Sequence, residues 1–240
     1  MTIQAPVLFL PGTACDERVW LPVWQHLACR QRRYVPLQWA SSLAEMLALT
    51  SDRVLDGEKV HLVGYSMGGY VASLFASEHA DSVASLTLIG YDPKGLGDEE
   101  TARRNLLVTF LKKGQFKPDS SAFLSRFIHP ARLKDEHVAG VMTAMAADLG
   151  STTLLAHTLS TTPRKPMTDT LSQASFPVNI LGASSDQIAE PDSLRQAIKT
   201  IQPAHHAILD DTAHMMLLEA PQQVAALLQN WLLADEKNIL

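Results

Sequence analysis

Apolar residues along this chain follow two rhythms. Short unbroken runs, such as Val7-Leu8-Phe9-Leu10, alternate with longer stretches in which apolar positions return every three or four residues. The first rhythm reads as a strand buried on both faces and the second as an amphipathic helix. In chain order it predicts strands at Val7–Leu10, Tyr34–Leu37, Lys59–Val63, Val83–Ile89, Pro177–Leu181 and His206–Leu209. Helices are predicted at Val19–Arg30, Ser41–Leu55, Gly68–His79, Pro191–Thr200 and Met215–Leu233, the second of them opened by Ser41 or Ser42. Alternating strands and helices imply an α/β fold, a mostly parallel sheet of about six strands with helices on both faces. In such sheets functional groups gather at the carboxyl ends of the strands.

The alternation breaks once, between Asp92 and about Ser175. This segment has helical patterns at Glu99–Lys113, Ser121–Ile128, Leu133–Leu149 and Ser151–Leu159, and no convincing strand. Helices inserted between two strands of a sheet predict a cap over its carboxyl edge. The chain divides accordingly into a core, residues 1–91 and 176–240, and a helical cap, residues 92–175.

One short segment carries chemistry. Gly64-Tyr65-Ser66-Met67-Gly68 follows an apolar run and opens an apolar-periodic stretch. A G-x-S-x-G sequence between strand and helix reads as a nucleophile elbow, a sharp turn that lifts a serine to the start of a helix. Glycine at the flanking positions lets strand and helix approach, and the helix N-terminus favours a developing anion. The plain alternative is a glycine-rich turn with no chemistry.

A nucleophilic serine needs a base, an orienting acid and oxyanion donors. The base has to be one of nine histidines. His26 and His79 lie on predicted helices, His61 alternates with core positions, and His205 and His206 begin a late strand. His214 differs: it follows a strand and a turn, Asp210-Asp211-Thr212-Ala213, and precedes a long helix, which places it on the same rim as Ser66. For the acid, Asp186 follows the first strand after the cap. Asp92 is a rival, though Asp92-Pro93 reads more simply as a turn. The order Ser66, Asp186, His214 is the serine–acid–histidine order described for hydrolases of this architecture. The oxyanion donors are expected to be the Met67 amide and one from Pro11-Gly12-Thr13-Ala14-Cys15, with Thr13 favoured and Gly12 allowing close approach. Cys15 has no elbow around it and reads as a buried free thiol.

Composition adds limits. The 240 residues suffice for one sizeable core, with 46% apolar and 19% charged residues and a net charge of −5. No run of one sign suggests nucleic-acid binding, and no apolar stretch reads as long enough to cross a bilayer. The first residues lack a signal-peptide pattern, and two cysteines make no disulfide framework, so a cytoplasmic setting is expected. There is no P-loop and no H-E-x-x-H. A small-molecule ester as the partner, a monomeric state, and no cofactor or metal complete the expectation.

With these residues in place, the chain resembles the α/β-hydrolase superfamily over nearly its whole length. The matching pieces are Leu10-Pro11-Gly12 with Trp20 downstream, the Gly64–Gly69 elbow, Gly182 to Asp186 followed by Pro191, and His214 with Leu218-Glu219-Ala220-Pro221. It looks most similar to small bacterial capped esterases, among them the pimeloyl-carrier-protein methyl esterases, and to the SHCHC synthases of menaquinone synthesis. There are departures. Pro11 stands where many relatives have histidine. Asp186 is four residues after Gly182 rather than three. Tyr65 stands where the biotin-pathway esterases carry tryptophan, and the leading hairpin of the full fold has no counterpart.

The resemblance implies a serine-dependent carboxylic ester hydrolase, with an acyl-enzyme formed on Ser66. The cap is expected to line an acyl pocket with Leu107, Phe110, Phe123, Phe127, Met142 and Met145, while Gly12 and Tyr65 border the substrate. Segment 92–175 also holds 11 of the 20 basic residues, including Arg103, Arg104, Lys117 and Arg126, a pattern suited to an acidic carrier protein or a carboxylated acyl chain. Three alternatives stay open: a pimeloyl-[acyl-carrier-protein] methyl ester esterase, a proton-abstracting lyase of the menaquinone-synthase type, and a catalytically silent hydrolase fold used for binding.

Overall fold

The fold was obtained as a computed structural model that describes residues 1–237. Six strands form one parallel sheet: β1 (Val7–Leu10), β2 (Arg32–Tyr34), β3 (Val60–Tyr65), β4 (Val83–Ile89), β5 (Val178–Ala183) and β6 (His205–Leu209). Their spatial order is β2-β1-β3-β4-β5-β6. The chain therefore reverses its direction of travel across the sheet between β1 and β3. That reversal opens a crevice where the loops after β1 and β3 diverge, the place where α/β sheets bind ligands.

Between the strands run α1 (Leu21–Trp24), α2 (Leu43–Ser51) and α3 (Met67–Glu78). The insertion after β4 holds α4 (Asp98–Lys112), α5 (Ser121–Phe127), α6 (Val141–Ser160) and α7 (Thr168–Ser172). The chain then adds α8 (Pro191–Ile201), α9 (Met216–Glu219) and α10 (Pro221–Glu236). Side-chain alternation along the strands supplies two cores. Val7, Phe9, Val63, Tyr65, Leu181 and Ala183 face α1, α9 and α10. Leu8, Leu10, Leu62, Leu86, Leu88 and Ile180 face α2, α3 and α8.

Several elements differ from the sequence pattern for identifiable reasons. The predicted helix Val19–Arg30 shrinks to a 3-10 turn and four residues of α1, because residues 28–30 bond to Ile3 instead (Ile3 N–H to Ala28 O, 3.0 Å; Arg30 N–H to Ile3 O, 2.9 Å). The strand Tyr34–Leu37 moves back to Arg32–Tyr34. Pro36 offers no amide to a ladder, and Leu37–Trp39 coils into a 3-10 turn. The closing helix divides at Pro221, which starts α10. The division predicted between Leu149 and Ser151 is present: Gly150 has φ +73° and ψ 173°, outside the helical region, and separates α6 into two helical pieces.

A further correction concerns the bilayer. The helical run Glu136–Ser160 does reach the length and composition of a membrane-crossing helix. Alanine, glycine and threonine dilute its large apolar residues, so it does not read as one apolar block. In the fold it packs against α4 and the 3-10 turns after β1 and β2.

The elbow leaves no room for side chains at its glycines. A Cβ on Gly68 would lie 2.3 Å from the Leu10 carbonyl oxygen, and one on Gly64 would lie 2.5 Å from the Gly68 carbonyl oxygen. Both obstacles are backbone, which cannot swing aside. Gly68→Ala is therefore expected to lower stability by about 2–4 kcal/mol. Gly57→Ala, at an exposed turn with φ +75° and nothing within 4 Å, should cost about 1–2 kcal/mol for backbone strain alone. Urea unfolding of the two variants checks this; equal losses would contradict the packing explanation.

Candidate active site

Ser66 directly follows β3 and caps α3 with φ 52° and ψ −113°, a conformation strained for any side chain. The turn survives because Gly64 and Gly68 let α3 press against β3 and the Leu10-Pro11 backbone. It leaves Ser66 at the amino end of a 12-residue helix, where unpaired amides and the helix dipole favour negative charge.

Three side chains distant in sequence form one hydrogen-bonded chain there. His214 Nε2 lies 3.0 Å from Ser66 Oγ, and His214 Nδ1 lies 2.9 Å from Asp186 Oδ2. Asp186 is buried, and its other oxygen accepts from the amides of Ile188 (2.7 Å) and Ala189 (3.0 Å). These bonds fix the carboxylate and aim Oδ2 at the imidazole. A carboxylate at Nδ1 holds the proton there and leaves the Nε2 lone pair for the serine. The extra residue between Gly182 and Asp186 is absorbed in a turn, in which the Asp186 amide donates to the Ala183 carbonyl at 3.3 Å.

The histidine loop is held from two sides. The Tyr65 hydroxyl, fully buried, donates to the His214 carbonyl at 2.9 Å. Glu219 accepts from the Ala213 amide at 2.9 Å and from the His129 amide at 3.1 Å, tying the loop to the insertion. Burial raises the Glu219 pKa, and the two amides oppose that shift. Neither role is legible in the sequence. Tyr65 reads there as a border of the substrate, and it does line the cavity, but its hydroxyl is turned to the loop. Glu219 stands there only as part of a motif.

The loop after β1 completes the crevice. Gly12 lies against Tyr65, whose ring would come within 3.0 Å of a Cβ at that position. The amides of Thr13 and Met67 take no acceptor within the protein among the described residues, and Thr13 and Ser66 border the same cavity. Cys15 is buried, and burial pushes its thiol up to about 12.

A cavity of about 490 Å³ opens above Ser66 and His214. Leu107, Phe110, Phe123, Phe127 and Met142 line it as expected. Met145 does not; it is fully buried in the core. Arg103, Arg104, Lys117 and Arg126 also reach this cavity. Glu100 takes up much of their charge: it pairs with Arg104 at 3.2 Å, with Arg126, and with Arg103 at 3.9 Å. The rival acid Asp92 lies elsewhere, accepting from the Lys94 amide at 3.0 Å and from the Ser193 hydroxyl. Among the described residues, no group of three or more His, Cys, Asp or Glu side chains could hold a metal ion.

His157 gives no signal in the sequence, where it sits in helical register like its neighbours. It is fully buried on α6 with both ring nitrogens engaged, one by Ala14 in the loop after β1 and the other by Leu37 beyond β2.

Known proteins of similar sequence and shape can be set beside this geometry. The pimeloyl-[acyl-carrier protein] methyl ester esterase of Neisseria meningitidis serogroup A is 24% identical over 175 residues, 71% of this chain and 56% of that protein. The bovine monoacylglycerol lipase ABHD6 is 23% identical over 193 residues, 74% of this chain and 56% of its own length. The chain thus spans little more than half the length of these curated relatives. Among solved structures, a thermophilic esterase from Thermogutta terrifontis superposes with a TM-score of 0.83 at 20% identity, covering 98% of this chain and 92% of that one. An esterase from Exiguobacterium antarcticum superposes with a TM-score of 0.76 at 17% identity, covering 97% and 93%. At these identities the superpositions speak for the fold. The sequence profile of the Alpha/beta hydrolase family matches residues 7–227, from the first strand into the last helix, and the chain belongs to that family.

Proposed function

We propose that this chain is a cofactor-independent carboxylic ester hydrolase. The observation that carries this reading is the continuous Ser66–His214–Asp186 hydrogen-bond chain at the floor of an apolar cavity. In this mechanism Ser66 Oγ attacks the ester carbonyl while His214 Nε2 takes the hydroxyl proton. The amides of Thr13 and Met67 bind the oxyanion. Collapse of the tetrahedral intermediate breaks the bond to the alcohol, and His214 returns its proton to the departing alkoxide. Water then attacks the acyl-enzyme, with His214 as base, and releases the acid and free Ser66. Asp186 stabilises the imidazolium formed in both halves. The helical insertion acts as a cap whose apolar residues receive the acyl chain. The esterase names among its relatives and structural neighbours agree with this reading.

A second reading concerns the acyl group. Arg103, Arg104, Lys117 and Arg126 at the cavity suit an acyl chain with a second carboxylate, or one delivered by an acidic carrier protein. The Neisseria meningitidis relative is named for such a carrier-bound methyl ester. Faster hydrolysis of a monomethyl dicarboxylate than of its dimethyl ester would support it; the reverse preference would sink it.

The hydrolase reading is checked with p-nitrophenyl esters from acetate to dodecanoate. Activity is expected to peak at medium chain length, consistent with the cavity size, and to vanish in Ser66→Ala. Asp186→Asn should keep the fold and lower kcat by about 10,000-fold, through the wrong imidazole tautomer. Full activity in Ser66→Ala would exclude the serine mechanism, and pyruvate release from the menaquinone-pathway precursor would favour the lyase. Iodoacetamide near neutral pH should leave activity intact, because a thiol pushed up to about 12 holds almost no thiolate there. Rapid inactivation would point to Cys15 as a participant.

A further inference from the structure

The loop after β1 contains a peptide plane gripped at both ends. The Cys15 amide donates to the Gly12 carbonyl at 3.3 Å, closing a four-residue turn with Thr13 and Ala14 at its centre. Ala14 has φ +51°. A positive φ at the third position of such a turn belongs to glycine by preference, since a Cβ disfavours it. Two bonds oppose that preference. The Ala14 N–H donates to His157 Nδ1 at 3.2 Å, and Cys15 Sγ donates to the Thr13 carbonyl at 3.5 Å.

His157 stands 143 residues away from Ala14, on α6. Its Nε2 donates to the Leu37 carbonyl at 2.9 Å. A carbonyl can only accept, so the proton is on Nε2 and Nδ1 presents a lone pair. Burial pushes the His157 pKa down, which keeps the ring neutral and the lone pair available near neutral pH. One imidazole thus joins the insertion to the loops after β1 and β2.

We propose that His157 is a positioning residue for oxyanion stabilisation: by accepting from the Ala14 amide it fixes the orientation of the Thr13–Ala14 peptide, and with it the aim of the Thr13 N–H. The inference rests on the ester-hydrolase reading and deepens it. A turn with alanine in this place tends to rotate its central peptide, exchanging the positions of N–H and C=O. Rotation here sets the Thr13 carbonyl against the His157 lone pair, acceptor against acceptor, and breaks the Cys15 contact. Without His157 the rotation is unopposed from above, and the backbone on either side shifts with it, the Thr13 amide included. The oxyanion loop is therefore in working order only while α6 is seated on it.

Side-chain geometry offers a discriminating test. The shorter amide of His157→Asn keeps an acceptor near the Nδ1 position, while the longer amide of His157→Gln keeps a donor near Nε2, so the two variants separate the two bonds. In His157→Leu, kcat on the best p-nitrophenyl ester should fall about 10- to 100-fold, less than the loss of a whole donor, with KM little changed. Affinity for an alkyl boronic acid, which becomes tetrahedral on the serine, should fall in step. His157→Asn should retain more kcat than His157→Gln at equal thermal stability. Adding Ala14→Gly to His157→Leu should recover part of the lost rate, since glycine holds a positive φ unaided. A crystal structure of His157→Leu should show the Thr13–Ala14 peptide rotated. Wild-type kcat in folded His157→Leu, rates that follow melting temperature alone, or an unrotated peptide would each overturn the proposal. Ser66→Ala retaining activity would instead remove the hydrolase reading, and the rotated peptide would still be readable without turnover.

Discussion

Everything at this site depends on the close approach of α3 to the backbone of β1 and β3. Gly68 has no room for a Cβ against the Leu10 carbonyl, and Gly64 has none against Gly68. That contact forces the chain from strand to helix through one residue at φ 52°. The strain is local, and the burial of both faces of the sheet holds it in place. In return the turn puts a hydroxyl, a helix N-terminus and the loop after β1 within one crevice. Strand order has the same effect at larger scale, since the reversal between β1 and β3 is what separates these two loops.

The histidine loop shows how a site is assembled from second contacts. His214 touches Ser66 and Asp186, but its backbone is placed by the Tyr65 hydroxyl and by Glu219. Tyr65 is the residue immediately before Ser66, so one strand end positions both the serine and the loop facing it. Glu219 bonds the amide just before His214 and, through His129, a segment of the insertion. The insertion adds apolar wall and also participates in the backbone geometry of the floor.

His157 belongs to the same logic. A buried imidazole with both nitrogens satisfied is stable as a neutral ring, and each of its bonds reaches a different loop. Its effect on Ala14 is large because alanine is the wrong residue for the backbone angle it holds. A glycine there would need no such support. The pairing of an awkward residue with a distant acceptor makes one loop contingent on one helix.

The sequence by itself determined the parts whose signals are local. The strands at Val7–Leu10 and Val83–Ile89 appear at the bounds their apolar runs predict, and Ser42 caps α2. The elbow was legible because its glycines and serine are adjacent and their flanking periods differ. Asp186 and His214 were legible because each follows a strand, and parallel strands end on one rim. The sequence did not reveal that residues 28–30 would bond Ile3 or that the tail would divide at Pro221. It did not place Met145 in the core rather than the cavity, and it did not pick out His157 among nine histidines. Those outcomes rest on contacts between residues far apart in the chain. Only the tertiary structure decided them, because periodicity records which face of an element is buried and carries nothing about which atom it meets there.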